Sequence, residues 1–123
     1  MHTEQLSSEI RRVRHDDVFG LYVLDQRKLY KFDDFKIGGG RKKRYAIGRA
    51  QYCDVFVADP TVSQVHCFIT KRRDGTFLLE DDHSTNGVYV SDVRVDRVVL
   101  TCGMHLVLGR SRFAVIGQDG SNT

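Results

Sequence analysis

His66-Cys67-Phe68-Ile69-Thr70-Lys71-Arg72-Arg73-Asp74-Gly75-Thr76-Phe77-Leu78-Leu79-Glu80, residues 66–80, is the stretch that decides the fold. Two runs of aliphatic, aromatic and β-branched residues flank Arg73-Asp74-Gly75, where aspartate and glycine tolerate the backbone angles of a tight turn. Run, turn and run make a hairpin. Working outward from Val18, the same signal recurs about eleven times, at approximately 18–24, 27–32, 43–48, 53–57, 66–72, 76–80, 87–90, 92–95, 97–100, 104–108 and 112–116. Asp25-Gln26 and Asn86-Gly87 are further expected hairpin turns, and no convincing helical pattern interrupts the series. Short strands this close together lack the long crossovers that parallel pairing needs, so the expected fold is all-β, an antiparallel β-sandwich.

The chain has 123 residues, 41% hydrophobic and 28% charged, which is the size and composition of one globular domain. The expected division is an N-terminal arm over 1–17, a domain over 18–117 and a tail over 118–123. In the arm, Leu6, Ile10 and Val13 have the spacing of a short amphipathic helix with Thr3 near its start. The 19 basic and 16 acidic residues leave a net charge of +3, too small an excess for a general nucleic-acid binder. Cys53, Cys67 and Cys102 are odd in number and lack CxxC spacing, so reduced thiols in an intracellular setting are expected, cytoplasmic with a nuclear one left open. No segment approaches the roughly 18 apolar residues of a membrane span, and neither a membrane nor a cofactor is expected as a partner.

Three local signals remain after the strands are set aside. Gly48-Arg49 ends one run, Ser63 and His66 bracket the start of another, and Ser84-Thr85-Asn86-Gly87 forms a turn. Singly, these read as a glycine turn with a surface cation, a local Ser-x-x-His hydrogen bond and a hairpin turn. In this order they resemble the forkhead-associated, or FHA, domain, whose pattern runs Gly-Arg, Ser-x-x-His and Asn-Gly. Cys53-Asp54-Val55, Asp59-Pro60-Thr61-Val62-Ser63 and Leu106-Val107-Leu108-Gly109 add to the likeness, which extends over about Leu21 to Ile116. The resemblance implies a sandwich of eleven strands with binding loops at one end, recognition of phosphothreonine peptides, and no catalysis. The implied partner is a threonine-phosphorylated protein downstream of a Ser/Thr kinase.

The chemistry is coherent without the family name. Phosphothreonine carries about −1.5 to −2 charges and three acceptor oxygens, so a receptor needs a fixed cation and neutral donors on converging loops. Arg49 supplies a planar guanidinium able to make two charge-assisted bonds to one phosphate. Ser63 supplies a short hydroxyl donor. By resemblance, Thr85 contacts the phosphate or its flank, and Asn86 holds the peptide backbone beside it. Gln64 and Ser84 are accessory candidates, while Gly48, His66 and Gly87 are expected to build the loops. Gln64 stands where the family often has arginine, with Lys71, Arg72, Arg73 or the basic segment after Gly38-Gly39-Gly40 as candidate replacements. Val88, Ser91-Asp92 and Met104 also depart from the family's threonine, Asn-Gly and aspartate.

Four other readings compete. A phosphate-cradling P-loop at Gly38–Gly40 lacks its Gly-Lys-Ser/Thr ending. A Ser63–His66 nucleophile has no Gly-x-Ser-x-Gly elbow and no evident orienting carboxylate. A metal site would draw on His66, Cys67, His83, Cys102 or His105, but adjacent strand residues point to opposite faces, and no metal is expected. The strongest alternative is a phosphate-independent assembly module that uses a sheet face carrying Tyr22, Tyr30 and Phe32. Phosphorylated Thr3 reaching the pocket of another copy would be a variant built on self-association.

Overall fold

The computed structural model describes residues 18–32, 36–37, 40–41 and 44–117. The expected arm with Thr3, the expected tail and part of the Gly-rich basic segment lie outside the described residues. Thirteen strands follow in order: β1 (Val18–Val23), β2 (Lys28–Lys31), β3 (Lys36–Ile37), β4 (Gly40–Arg41), β5 (Arg44–Gly48), β6 (Val55–Phe56), β7 (Cys67–Lys71), β8 (Phe77–Asp81), β9 (Val88–Val90), β10 (Val93–Val95), β11 (Arg97–Val99), β12 (His105–Leu108) and β13 (Ser111–Gly117). Eleven form two sheets, ordered β10-β9-β12-β13-β1-β2 and β11-β8-β7-β5-β6, while β3 and β4 pair separately. The sandwich read from the sequence is the observed fold. A 3₁₀ turn over Leu24–Gln26 is the only helical element of more than one residue among the described residues.

Period-two alternation places the core. Tyr45 and Ile47 in β5, Cys67 and Ile69 in β7, and Phe77 and Leu79 in β8 face inward, and all are buried. They meet Leu21 and Val23 of β1, Leu106 and Leu108 of β12, and Phe113 and Val115 of β13 in one apolar cluster. Phe32 fills one margin, with ring centroids 5.1 Å from Tyr45 and 4.6 Å from Phe77. Of the aromatic face invoked for phosphate-independent assembly, Phe32 is therefore core. Tyr30 packs against the core and its hydroxyl donates to the Phe56 carbonyl at 3.3 Å. Tyr22 is half-buried.

Two sequence expectations need correction. Among the described residues every ladder is antiparallel except β5–β6, where Ile47 pairs with Val55 in parallel. The connection is short because three contacts fold it back, two onto β5 and one onto the loop before β7. Asp54 Oδ2 accepts the Ala46 N–H at 2.8 Å, the Val57 N–H donates to the Gly48 carbonyl at 2.9 Å, and Cys53 Sγ donates to the Gln64 carbonyl at 3.3 Å. Asn86-Gly87, in turn, closes no hairpin. It lies in the segment that passes from β8 in one sheet to β9 in the other. The two-residue hairpin comes next, at Ser91-Asp92, with Val90 opposite Val93.

The antiparallel order brings the ends of β5 and β8 and the starts of β7 and β9 to one pole. Four loops gather there, over residues 49–54, 57–66, 82–87 and 109–110. The β7–β8 turn stands at the other pole. Lys71, Arg72 and Arg73 accompany that turn, as does Arg44 at the start of β5, so none of them replaces a cation beside Gln64.

Candidate functional site

His66 joins two of the four loops. Its side chain is fully buried, and its two ring nitrogens join two loops: Nδ1 accepts the Ser63 main-chain N–H at 3.1 Å, and Nε2 lies 2.8 Å from the Gly87 carbonyl. An N–H facing one nitrogen and a carbonyl facing the other fix the neutral tautomer with its proton on Nε2. Burial lowers the pKa of His66 from 6.5, while the Gly87 carbonyl pulls in the opposite direction. The ring thus serves as a neutral brace.

The brace aligns Ser63. The Ser63 hydroxyl oxygen accepts the Thr85 N–H at 3.0 Å, and its own proton stays available to donate. The Ser63 carbonyl accepts the Arg49 N–H at 2.9 Å, and Arg49 Nε donates to the Val62 carbonyl at 3.0 Å. One short segment therefore holds both the arginine stem and the serine. Arg49 is exposed, and among the described residues no carboxylate lies within ion-pair distance of it. Gly48 permits the approach, since a Cβ there would stand 2.2 Å from the Gln64 carbonyl oxygen, inside contact distance of main chain.

Asn86 joins from the third loop. Its Nδ2 donates to the Thr61 carbonyl at 2.7 Å, which fixes the carboxamide and leaves Oδ1 and the second amide proton toward solvent. Thr85 and Gln64 are exposed beside it. Ser84 differs from these: it is buried, its hydroxyl donates to Asp81 Oδ1, and it accepts the Gly87 N–H at 2.9 Å. Its hydroxyl is used up inside the loop. Gly87 adopts φ +82°, a left-handed conformation that glycine takes without strain.

Asp59 and Thr61 are a fastening that sequence reasoning did not single out. Asp59 Oδ1 accepts both the N–H and the hydroxyl of Thr61, at 2.8 and 2.7 Å, and Oδ2 accepts the Ser111 hydroxyl at 2.8 Å. Thr61 Oγ1 in turn accepts the Arg110 N–H at 2.8 Å, tying the fourth loop to the first three. These donors, led by the Thr61 N–H, lower the Asp59 pKa from 3.8. Asp-x-Thr is a legible signal for a side chain bonding two residues ahead. The Ser111 and Arg110 ends of the network have no local signal.

The same geometry disposes of the nucleophile reading. His66 engages the Ser63 main chain and not its hydroxyl, and both ring nitrogens are committed to backbone groups. The Cys53 and Cys67 thiols are pushed up by burial, away from the reactive thiolate. What the loops present is the exposed guanidinium of Arg49, exposed Arg110 on the fourth loop, the Ser63 hydroxyl proton and a fixed carboxamide. Donors of this kind are chemically suited to an anion.

The fold is a β-sandwich with four loops gathered at one pole, and comparison with known proteins gives its family. The FHA domain profile matches residues 45–109, and the chain belongs to the FHA family, a family of recognition domains. The oxoglutarate dehydrogenase inhibitor of Corynebacterium diphtheriae is 36% identical over 69 residues, 56% of this chain and 48% of that protein. The chain thus spans about half the length of this curated relative. An FHA domain solved in a study of phosphothreonine-dependent FHA interactions superposes with a TM-score of 0.69 at 28% identity, covering 80% of this chain and 95% of that one. The FhaA FHA domain complexed with the intracellular domain of Rv3910 gives 0.64 at 29% identity, covering 77% and 96%.

Proposed function

We propose that this domain, over residues 18–117, binds phosphothreonine peptides and so recruits threonine-phosphorylated proteins after a Ser/Thr kinase has acted. The observation that carries the reading is the Arg49–Ser63 pair. Their main chains are bonded at 2.9 Å, Arg49 Nε is anchored on Val62, and the remaining guanidinium nitrogens and the Ser63 proton are left for a ligand. A phosphate between them would receive a bidentate cation and a hydroxyl donor, the combination its charge and lone pairs demand. Thr85 extends the surface toward the phosphate flank, and Asn86 offers an amide to the peptide backbone. Gly48, His66 and Gly87 act only by holding this arrangement. Support comes also from the family and from relatives studied in phosphothreonine-dependent interactions and in a complex with a partner's intracellular domain.

The test is calorimetric titration of the domain with a degenerate phosphothreonine peptide library, against unphosphorylated and phosphoserine controls. Binding is expected only with phosphothreonine. Arg49→Ala and Ser63→Ala are expected to remain folded and to lose affinity, with removal of one charged hydrogen bond costing about 1.5–3 kcal/mol, tenfold or more. Equal affinity of Arg49→Ala and the parent for a phosphopeptide would defeat the site. Absence of any phosphate-dependent binding by a folded domain would transfer the function to its sheet faces.

A further inference from the structure

Gln64 leaves the residue after Ser63 uncharged, and the Lys71–Arg73 cluster is at the wrong pole. Besides Arg110 on the fourth loop, a further cation stands beside the Asn86-Gly87 turn. Arg94 sits in the middle of β10, opposite Tyr89 in the ladder. A Cβ built on Gly87 would lie 2.7 Å from Arg94 Nε, 2.9 Å from Cζ and 3.2 Å from Cδ. The guanidinium therefore occupies the space that any side chain at position 87 would fill. Glycine is required there twice over, for its φ of +82° and for this seat.

Arg94 is nonetheless exposed, and among the described residues no carboxylate pairs with it. Its charge is felt at the brace, where it opposes protonation of His66. An arginine whose stem is held against a loop presents its fork with less rotamer freedom to lose than a free surface side chain. The loop in question is the one that carries Asn86, one residue away.

We propose that Arg94 is a specificity-determining residue of the phosphothreonine site, seated on Gly87 so as to select peptides with aspartate or glutamate on the flank held by Asn86. The proposal rests on the phosphothreonine reading above and adds the chemistry of the neighbouring ligand residue. Phosphate itself goes to Arg49 and Ser63, whose donors converge. Arg94 lies against Gly87, the residue after Asn86, and a carboxylate is the peptide group whose geometry matches its fork.

The experiment uses phosphothreonine peptides in which each position within three residues of the phosphothreonine is glutamate or glutamine in turn. Parent, Arg94→Gln and Arg94→Lys domains are titrated at low and at moderate salt. The parent is expected to prefer glutamate at one flank by roughly two- to fivefold, the range of an exposed ion pair, with the preference shrinking as salt rises. Arg94→Gln should bring the ratio close to one, and Arg94→Lys should retain part of it. A parent with no flank preference overturns the proposal without recourse to any variant. So does an Arg94→Gln domain that keeps the parental ratio. If phosphorylated and unphosphorylated peptides bind the parent alike, the phosphothreonine reading has failed and this inference falls with it. If phosphate dependence persists while the ratio ignores Arg94, only the inference falls.

Discussion

The two poles of the five-stranded sheet solve the same problem, turning the chain, in opposite ways. At the β7–β8 pole the turn is self-contained: Asp74 Oδ1 accepts the N–H and the hydroxyl of Thr76, and Arg72 Nε donates to Thr76 Oγ1 at 2.9 Å. Every partner lies within four residues. At the binding pole, Thr85 bonds Ser63 across 22 residues, Asn86 bonds Thr61 across 25, and Ser111 bonds Asp59 across 52. A local turn forms once its own residues are right. An interlocked set of loops holds its shape only when all of them are in place, so damage to one member reaches the others.

The largest expected break in this contrast is His66→Ala. It removes a fully buried side chain and leaves the Ser63 N–H and the Gly87 carbonyl without their partner. A loss of about 2–4 kcal/mol is expected in denaturant unfolding, together with loss of phosphopeptide affinity. A His66→Ala domain with parental stability would show that the loops are held by something else.

Acid applies the same perturbation reversibly. Because burial lowers the folded-state pKa of His66 from 6.5, the unfolded chain takes up the proton first as pH falls. The stability contributed by neutral His66 is complete above about pH 6.5, declines as pH drops below it, and levels off beneath the folded pKa. Asp59, also lowered, adds a loss of the same direction that begins only near its ordinary value of 3.8. Unfolding curves between about pH 8 and pH 5 should therefore show a decline that His66→Gln abolishes. An unchanged slope in that variant would remove His66 as its source.

The smallest effects belong to local turns. Ser91 and Asp92 have φ of 50° and 65°, the type I′ conformation that Asn-Gly takes with less strain. Replacing the pair by Asn-Gly should stabilise the domain by about 1 kcal/mol in thermal or denaturant unfolding. Phosphopeptide affinity should stay at the parental value, as it should for Asp74→Ala in the far hairpin. A change in affinity with either would mean that the far pole communicates with the loops.

Much of this was legible beforehand because strands and tight turns announce themselves locally. The run over 66–80 reads as a hairpin, and it is one. Asn86-Gly87 carries an equally good hairpin signal and is not one, because the burial of Val88 in the second sheet carries the chain across the sandwich. Ser91-Asp92 closes the hairpin instead, with residues that bear a conformational cost there. The parallel β5–β6 rung was illegible for a related reason: it depends on Asp54 and Cys53 bonding residues eight and eleven positions away.

The site divides in the same manner. Gly48, Arg49, Ser63, His66, Asn86 and Gly87 were visible as residue types in a recurring order, and the fold gathers all of them at one pole. Ser84, an accessory candidate by sequence, has its hydroxyl turned inward to Asp81 and Gly87. Arg94 belongs to a run that reads only as a short strand, and nothing local marks it as a neighbour of Gly87.

By itself, then, the sequence determined the strand content, the sandwich and the inventory of recognition groups, since alternation, turn propensity and side-chain chemistry are properties of short segments. Only the tertiary structure decided which groups gather at one pole, which tautomer His66 holds, that Ser84 builds the loop, and that Arg94 of β10 lies against Gly87. Those outcomes depend on hydrogen bonds and close approaches between residues brought together by two packed sheets, and the local pattern of the chain carries no record of them.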